Sequence, residues 1–284
     1  MHLKQILSTA LLLPTLSHAW QAPTYTGFRR LFAEEFHGPA GSPVDTDVWH
    51  YITDLNVNNE LQKYTKSNRN LQISGGGTVQ IVPRREPDGG WTSGRIESEY
   101  HFTPRAGRET IAEGYVRFGD GDPARKQGLW PAFWLLGQAV RNGIDWPMAG
   151  EIDILETVNG ILTAHGTVHC DVVGGGACNT PIGVGASVPL ADQSWHRWRV
   201  VFDRTSGDWR SETITWFKDD QQFHQISGER IGSERVWATL GQSPLYFIMN
   251  VAVGGDWPGY PTDDTLDGYD SMMEVAYVAV YESE

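Results

Sequence analysis

The chain has 284 residues, with 22 Lys and Arg against 35 Asp and Glu, a formal charge of −13 and 40% hydrophobic residues. That balance excludes a basic nucleic-acid binder and a chain too polar to bury a core. With 12 Trp and 32 Gly, many tight turns and some flat apolar binding surface are expected.

Residues 1–19 read MHLKQILSTALLLPTLSHA. Lys4, the apolar run from Ile6 to Leu16 and the small-residue punctuation Ser17-His18-Ala19 predict a secretory signal peptide cut after Ala19. The apolar run is interrupted by Pro14 and falls short of the roughly 20 residues that a membrane-spanning helix needs. No later segment is long and apolar enough to serve, so a secreted, extracellular chain without a membrane partner is expected. Loss of Lys4 takes the charge from −13 to −14.

From Trp20 to Glu284 no repeat, charge block or long linker divides the sequence, and residues 20–284 are expected to form one domain and a monomer. Short β-rich runs are separated by turn residues: LQISGGGTVQIVP from Leu71, TSGRIESEYHF from Thr92, AEGYVRFG from Ala112, EIDILETV from Glu151, TAHGTVHC from Thr163, HRWRVVFD from His196, TITWFKD from Thr213, LYFIMNVAV from Leu245 and MEVAYVAVYE from Met273. Helical periodicity is scarce. Gln127 to Leu136 contains Pro131, and SERVWATLG from Ser233 supports a short helix only. The economical fold class is all-β, a two-sheet antiparallel β-sandwich. Such a sandwich can curve, and its concave face can line a cleft for a long polymer.

The segment Glu151-Ile152-Asp153-Ile154-Leu155-Glu156 is the most informative. On a helix Glu151 and Glu156 would lie about 140° apart. On a regular strand Glu151 and Asp153 share one face and Glu156 takes the other. A one-residue bulge after Asp153 returns Glu156 to the face of the other two acids. Two carboxyl groups leaning together there suit a retaining glycosidase, which needs one ionised group to attack the anomeric carbon and one protonated group for the departing oxygen. Glu151 is assigned as nucleophile, Glu156 as acid/base, and Asp153 as the residue that orients the nucleophile and tunes the pair. A solvated acidic strand and a calcium chelate are the alternatives. The flanking Ile152, Ile154 and Leu155 indicate a buried strand, where three acids on one face are costly unless used.

Cys170 and Cys178 are the only cysteines. In an oxidising compartment they are expected to close a disulfide around DVVGGGA. Metal ligation would need more partners than His169 and Asp171 clearly offer, so no metal and no cofactor are expected. No usable N-x-S/T acceptor occurs.

With these residues in place, the sequence resembles glycoside hydrolase family 16, and within it the laminarinase-like endo-β-1,3-glucanases of the secreted fungal type. The resemblance rests on EIDILE, NNELQKYT from Asn58, TSGRIES from Thr92, QGLWPAFWLLG from Gln127, WPMAGEIDILE from Trp146, GTVH from Gly166, MNVAVGGDWPG from Met249 and the ending VAYVAVYE. The pieces run in family order from about Phe32 to Glu282. The resemblance implies a curved, concanavalin-like β-jelly roll and retention of anomeric configuration, with the three acids in the roles given above. It also implies cleft aromatics at Trp130, Trp134 and Trp146, sugar-contacting polar groups at Asn59 and Arg95, a histidine beside the catalytic centre at His169, and Trp257 flanking the donor sugars.

The chemistry suits those positions, because a pyranose stacks its C–H face on indole while its hydroxyls need Asn, Arg or His partners. Each has an alternative. Trp134 can be core, Arg95 can pair only with Glu97 or Glu99, and His169 can cap the disulfide loop. Trp130 and Trp146 precede prolines and are expected at turns, open to the cleft. Trp195, Trp198, Trp209 and Trp216 fall outside these motifs and are expected to serve packing. Many family members carry an Asp for a structural calcium where Ala276 stands here, so that ion is not expected. The loop from Asp171 to Pro189 matches no clear template.

The expected activity is endo-hydrolysis of β-1,3, or mixed β-1,3/1,4, glucan by double displacement. The acidic chain suits a neutral β-glucan polysaccharide or oligosaccharide better than an anionic one. The rival functions are a cell-wall transglycosylase, whose intermediate is intercepted by a sugar hydroxyl, and a non-hydrolytic β-glucan-binding module.

Overall fold

A computed structural model describes residues 20–284. The expected signal peptide lies outside the described residues. Two large antiparallel sheets face one another. The first has seven strands in the order Val184–Pro189, Thr163–His169, Glu151–Glu156, Leu129–Gly137, Leu245–Val253, Arg95–Phe102 and Trp49–Tyr51. The second has eight, in the order Gln221–Ser227, Thr213–Lys218, His196–Asp203, Glu109–Phe118, Met273–Ser283, Val79–Ile81 and Leu71–Ile73, with Phe28–Glu34 also paired to Met273–Ser283. A small third sheet joins Gln62–Tyr64, Trp91–Ser93 and Arg84–Arg85. This is the all-β two-sheet sandwich that the runs of strand residues predict, in the jelly-roll form that the resemblance implies.

Period two sorts the side chains. Phe133, Leu135, Ile152, Val168, Phe247, Met249 and Val251 of the first sheet meet Ala112, Val116, Val200, Phe202, Ile214, Val275 and Val278 of the second in one buried cluster. The other face of the seven-stranded sheet keeps the polar and aromatic residues that form the site. SERVWATLG forms the helix Glu234–Gly241, whose Ser233 hydroxyl caps the Val236 amide and whose Val236, Trp237 and Leu240 are buried.

Three details refine the sequence reading. Trp130 lies within the strand Leu129–Gly137 and not at a turn, because its residues pair on one side with Leu245–Val253. Trp146 does sit in a turn. The segment from Asp171 to Pro189 is only partly a loop: its end, Val184–Pro189, pairs with Thr163–His169 as an edge strand. Cys170 and Cys178 are joined in a disulfide, Cα to Cα 5.3 Å, with both residues fully buried. Ala276 is buried among Ile111, Tyr277, Ala279 and Tyr281, and its methyl offers no ligand atom.

Candidate active site

The bulge is present. Asp153 pairs with Trp134 on one side and Thr167 on the other, while Glu156 pairs with Ala132 and His165. Three residues of the Glu151–Glu156 strand thus advance against two on each neighbour, with the register shift between Asp153 and Glu156. Ile152, Ile154 and Leu155 are all fully buried in the core. Glu156 therefore returns to the face of Glu151 and Asp153.

Register then fixes three cross-strand rows on that face. One runs His165, Glu156, Ala132, Asn250, Arg95; the next Thr167, Asp153, Trp134, Ile248, Glu97; the third His169, Glu151, Leu136, Tyr246, with His101 at its end. Each acid thus has a defined neighbour on both sides.

Two indoles hold the outer carboxylates. Trp130 Nε1–H donates to Glu156 Oε1 at 2.8 Å, and Trp146 Nε1–H donates to Glu151 Oε2 at 3.0 Å. His169 Nε2 lies 3.4 Å from Asp153 Oδ2 and 3.9 Å from Glu151 Oε1. Its ring packs beside Trp146, with centroids 5.9 Å apart. Trp257, 42% exposed, meets Trp130 edge-on at 5.3 Å and His165 at 5.2 Å. Trp130, Trp257 and His165 thus make an aromatic flank beside Glu156, and Trp146 with His169 makes another beside Glu151.

Burial pushes all three carboxyl groups above the ordinary carboxylate range. At Glu151 the charge of Asp153 adds to burial, while His169 and the Trp146 hydrogen bond oppose it. At Glu156 the charge of Asp153 again adds, opposed by the Trp130 hydrogen bond and His169. Each ionised acid thus disfavours ionisation of the others, so the trio titrates as a coupled set. Burial also lowers the pKa of His165, which favours its neutral ring next to Glu156.

Arg95 and Trp134 stand one step back. Arg95 is buried, with Nη2 2.8 Å from Glu97 Oε1 and its guanidinium 5.0 Å from the Trp134 ring. It is committed to Glu97 while sharing a row with Glu156. Trp134 is half-buried against Leu136, Tyr246 and Ile248, and its Nε1–H donates to Asn250 Oδ1 at 2.9 Å. Asn59 is farther out, exposed, donating to Asp256 Oδ1 at 2.8 Å beside Trp257. Its φ of 56° is one that Asn tolerates.

Sequence reasoning missed several members. Asn250 also donates from Nδ2 to the Tyr64 hydroxyl, whose O–H lies against Glu60, so a buried polar chain backs Trp134. His165 had a signal, since it alternates with Thr167 and His169 on one face. Asp256 had none. Glu151, Asp153 and His169 bring one ligand atom each within 4.8 Å of one another, the donor set among the described residues that would suit a metal ion; it coincides with two of the three acids.

Residues 120–180, which span all three acids, match the family described as XgeA-like, catalytic GH16 domain. The chain is 33% identical over 245 residues to a beta-glucanase of Rhodothermus marinus, covering 84% of this chain and 80% of that protein. It is 30% identical over 255 residues to a glucan endo-1,3-beta-glucosidase of Cryptopygus antarcticus, covering 82% and 85%. The crystal structure of an endo-1,3-beta-glucanase from Streptomyces sioyaensis superposes with a TM-score of 0.87 at 31% identity, covering 93% of this chain and all of that one.

Proposed function

The chain belongs to glycoside hydrolase family 16, and on that footing we propose that it is a secreted endo-glucanase, of the fungal laminarinase-like type, that cleaves β-1,3 or mixed β-1,3/1,4 glucan with retention. The observation that carries this reading is the bulge, which gives Glu151, Asp153 and Glu156 a common outlook. The endo-1,3-beta-glucosidase relative and the glucanase crystal structure support the substrate.

In the proposed mechanism Glu151 attacks the anomeric carbon as the carboxylate, with Trp146 and His169 favouring its charge. Glu156, kept protonated by burial and by the neighbouring Asp153 charge, gives its proton to the departing glycosidic oxygen. A covalent glycosyl–Glu151 ester results. Glu156, now ionised, takes a proton from water, which attacks the same carbon and expels Glu151. Asp153, in contact with His169, orients Glu151 and shifts charge within the trio. Trp130, Trp146 and Trp257 offer ring faces to sugars, and Asn59 offers a polar edge. Export through removal of residues 1–19, a monomeric state and a neutral glucan partner, without nucleic acid or membrane, complete the proposal.

The test is a reducing-end screen of the purified protein against laminarin, lichenan, β-1,6-glucan, galactan and agarose, with Glu151→Gln alongside. Laminarin or lichenan cleavage that vanishes in Glu151→Gln while glucan binding persists is expected. Cleavage confined to galactan or agarose would overturn the substrate, and full activity of Glu151→Gln would overturn the roles. Lengthened chains in the products would mark a transglycosylase.

A further inference from the structure

The acids sit on one sheet, but the irregularity that aligns them is held from the other. Where the Glu151–Glu156 strand carries its extra residue, regular pairing is interrupted between Asp153 and Glu156. The Asp153 carbonyl at this break lies in the buried interior, where a backbone acceptor is held by a donor. It accepts a hydrogen bond of 2.8 Å from Nε1–H of Trp216, which belongs to the strand Thr213–Lys218 of the eight-stranded sheet and is fully buried.

The approach of that indole depends on a third residue. Gly166 lies between Thr167 and His165, the cross-strand partners of Asp153 and Glu156. A Cβ on Gly166 would stand 2.5 Å from Trp216 Cδ1 and 2.9 Å from Trp216 Nε1, far inside contact distance. Any side chain at 166 would therefore push the indole away from the bulge.

We infer that Trp216, admitted by Gly166, is a positioning residue for the reaction: its hydrogen bond to the Asp153 carbonyl fixes where along the strand the bulge forms, and so which face Glu156 takes. Period two makes the point sharp. A bulge displaced to beyond Glu156 would restore regular alternation up to that residue and turn its carboxyl into the core. The carbonyl accepting the bond belongs to the middle acid itself, so loss of the pin also loosens Asp153. Trp216 touches no sugar, and its role is in backbone placement alone. The inference rests on the proposed glycosidase reading, which makes a common face for the three acids necessary.

Trp216→Phe keeps the buried ring and removes the donor. Gly166→Ala keeps the donor and blocks its approach. Trp198→Phe alters another fully buried tryptophan of the same sheet and serves as the control for core damage. Both test variants are expected to lower kcat on glucan at least about tenfold with KM within about twofold, and to speed amide hydrogen exchange at residues 154–156. Trp198→Phe is expected to lower Tm without changing kcat. Wild-type kcat and wild-type exchange in Trp216→Phe would overturn the inference, as would a kcat loss that Trp198→Phe reproduces at equal loss of Tm. If the wild type cleaves no glycan, the proposed function has failed, and the exchange of residues 154–156 alone decides whether Trp216 pins the bulge.

Discussion

Trp130 and Glu156 stand on neighbouring strands, and the indole N–H of the first donates to Oε1 of the second at 2.8 Å. That bond favours the charged carboxylate and so opposes the burial that raises its pKa. In Trp130→Phe the opposition is removed and the carboxyl holds its proton to higher pH. Because Glu156 acts first as an acid, the alkaline limb of the kcat/KM profile is expected to move upward in pH. A limb that stays in place or moves down would separate Trp130 from the acid.

Glu156→Gln removes the proton donor while keeping the shape. Loss of a general acid of this kind lowers the rate on glucan by roughly 10²- to 10⁴-fold. An aryl β-glucoside whose leaving group needs no proton is expected to lose much less in its first step. The values of kcat/KM on the two substrates, which report the first step alone, compared as a ratio check the assignment. Equal losses on both would move the acid role elsewhere.

The same substitution has an opposite consequence for stability. A carboxyl whose pKa is raised on folding holds, in the native state, a proton that the unfolded chain has already released. Its contribution is most favourable below the ordinary carboxylate range and declines as pH rises, by about 1.4 kcal/mol for each unit of upward displacement. Glu156→Gln escapes that decline. Its Tm should match wild type near pH 4 and exceed it by a few degrees near neutrality. Thermal melts across that range check the sign, and a variant less stable at neutral pH would contradict the raised pKa.

The disulfide Cys170–Cys178 closes a short loop immediately after His169. Replacing both cysteines by serine frees that loop in the unfolded chain, which costs about 2.5 kcal/mol by the loop-entropy estimate. A fall in Tm of roughly 4 to 5 °C is expected. Scanning calorimetry of the double variant, with the reduced wild type for comparison, measures it.

The acid strand was legible because parity alone decides it. In EIDILE, only an inserted residue lets Glu156 join Glu151 and Asp153, and the apolar neighbours Ile152, Ile154 and Leu155 point to a buried strand. The strand after it, Thr163–His169, is legible in TAHGTVHC, whereas the strand before it, Leu129–Gly137, is hidden by Pro131. Partnerships across the sandwich were not legible. Trp216 carries no local mark that its indole reaches Asp153, and the packing role expected of it is satisfied by its burial without describing its hydrogen bond. Pro131 after Trp130 signals a turn, where the chain instead continues as a strand paired with Leu245–Val253. Arg95 shows the limit of residue type: its commitment to Glu97 and its place in the Glu156 row are both real, and only register displays them together. The Gly-rich segment after Cys170 hid the edge strand Val184–Pro189, whose small residues have little strand preference of their own.

The bulge also makes this short segment unevenly tolerant of changes in length. Were Ile154 deleted, the sequence Glu-Ile-Asp-Leu-Glu would alternate regularly and keep its three carboxyls on one side. Were Ile152 deleted instead, the first two acids would become adjacent and point apart. A lineage can therefore lose a residue on one side of Asp153 and keep the geometry, whereas the same loss on the other side destroys it, so the middle aspartate divides the segment into a permissive half and a forbidden one.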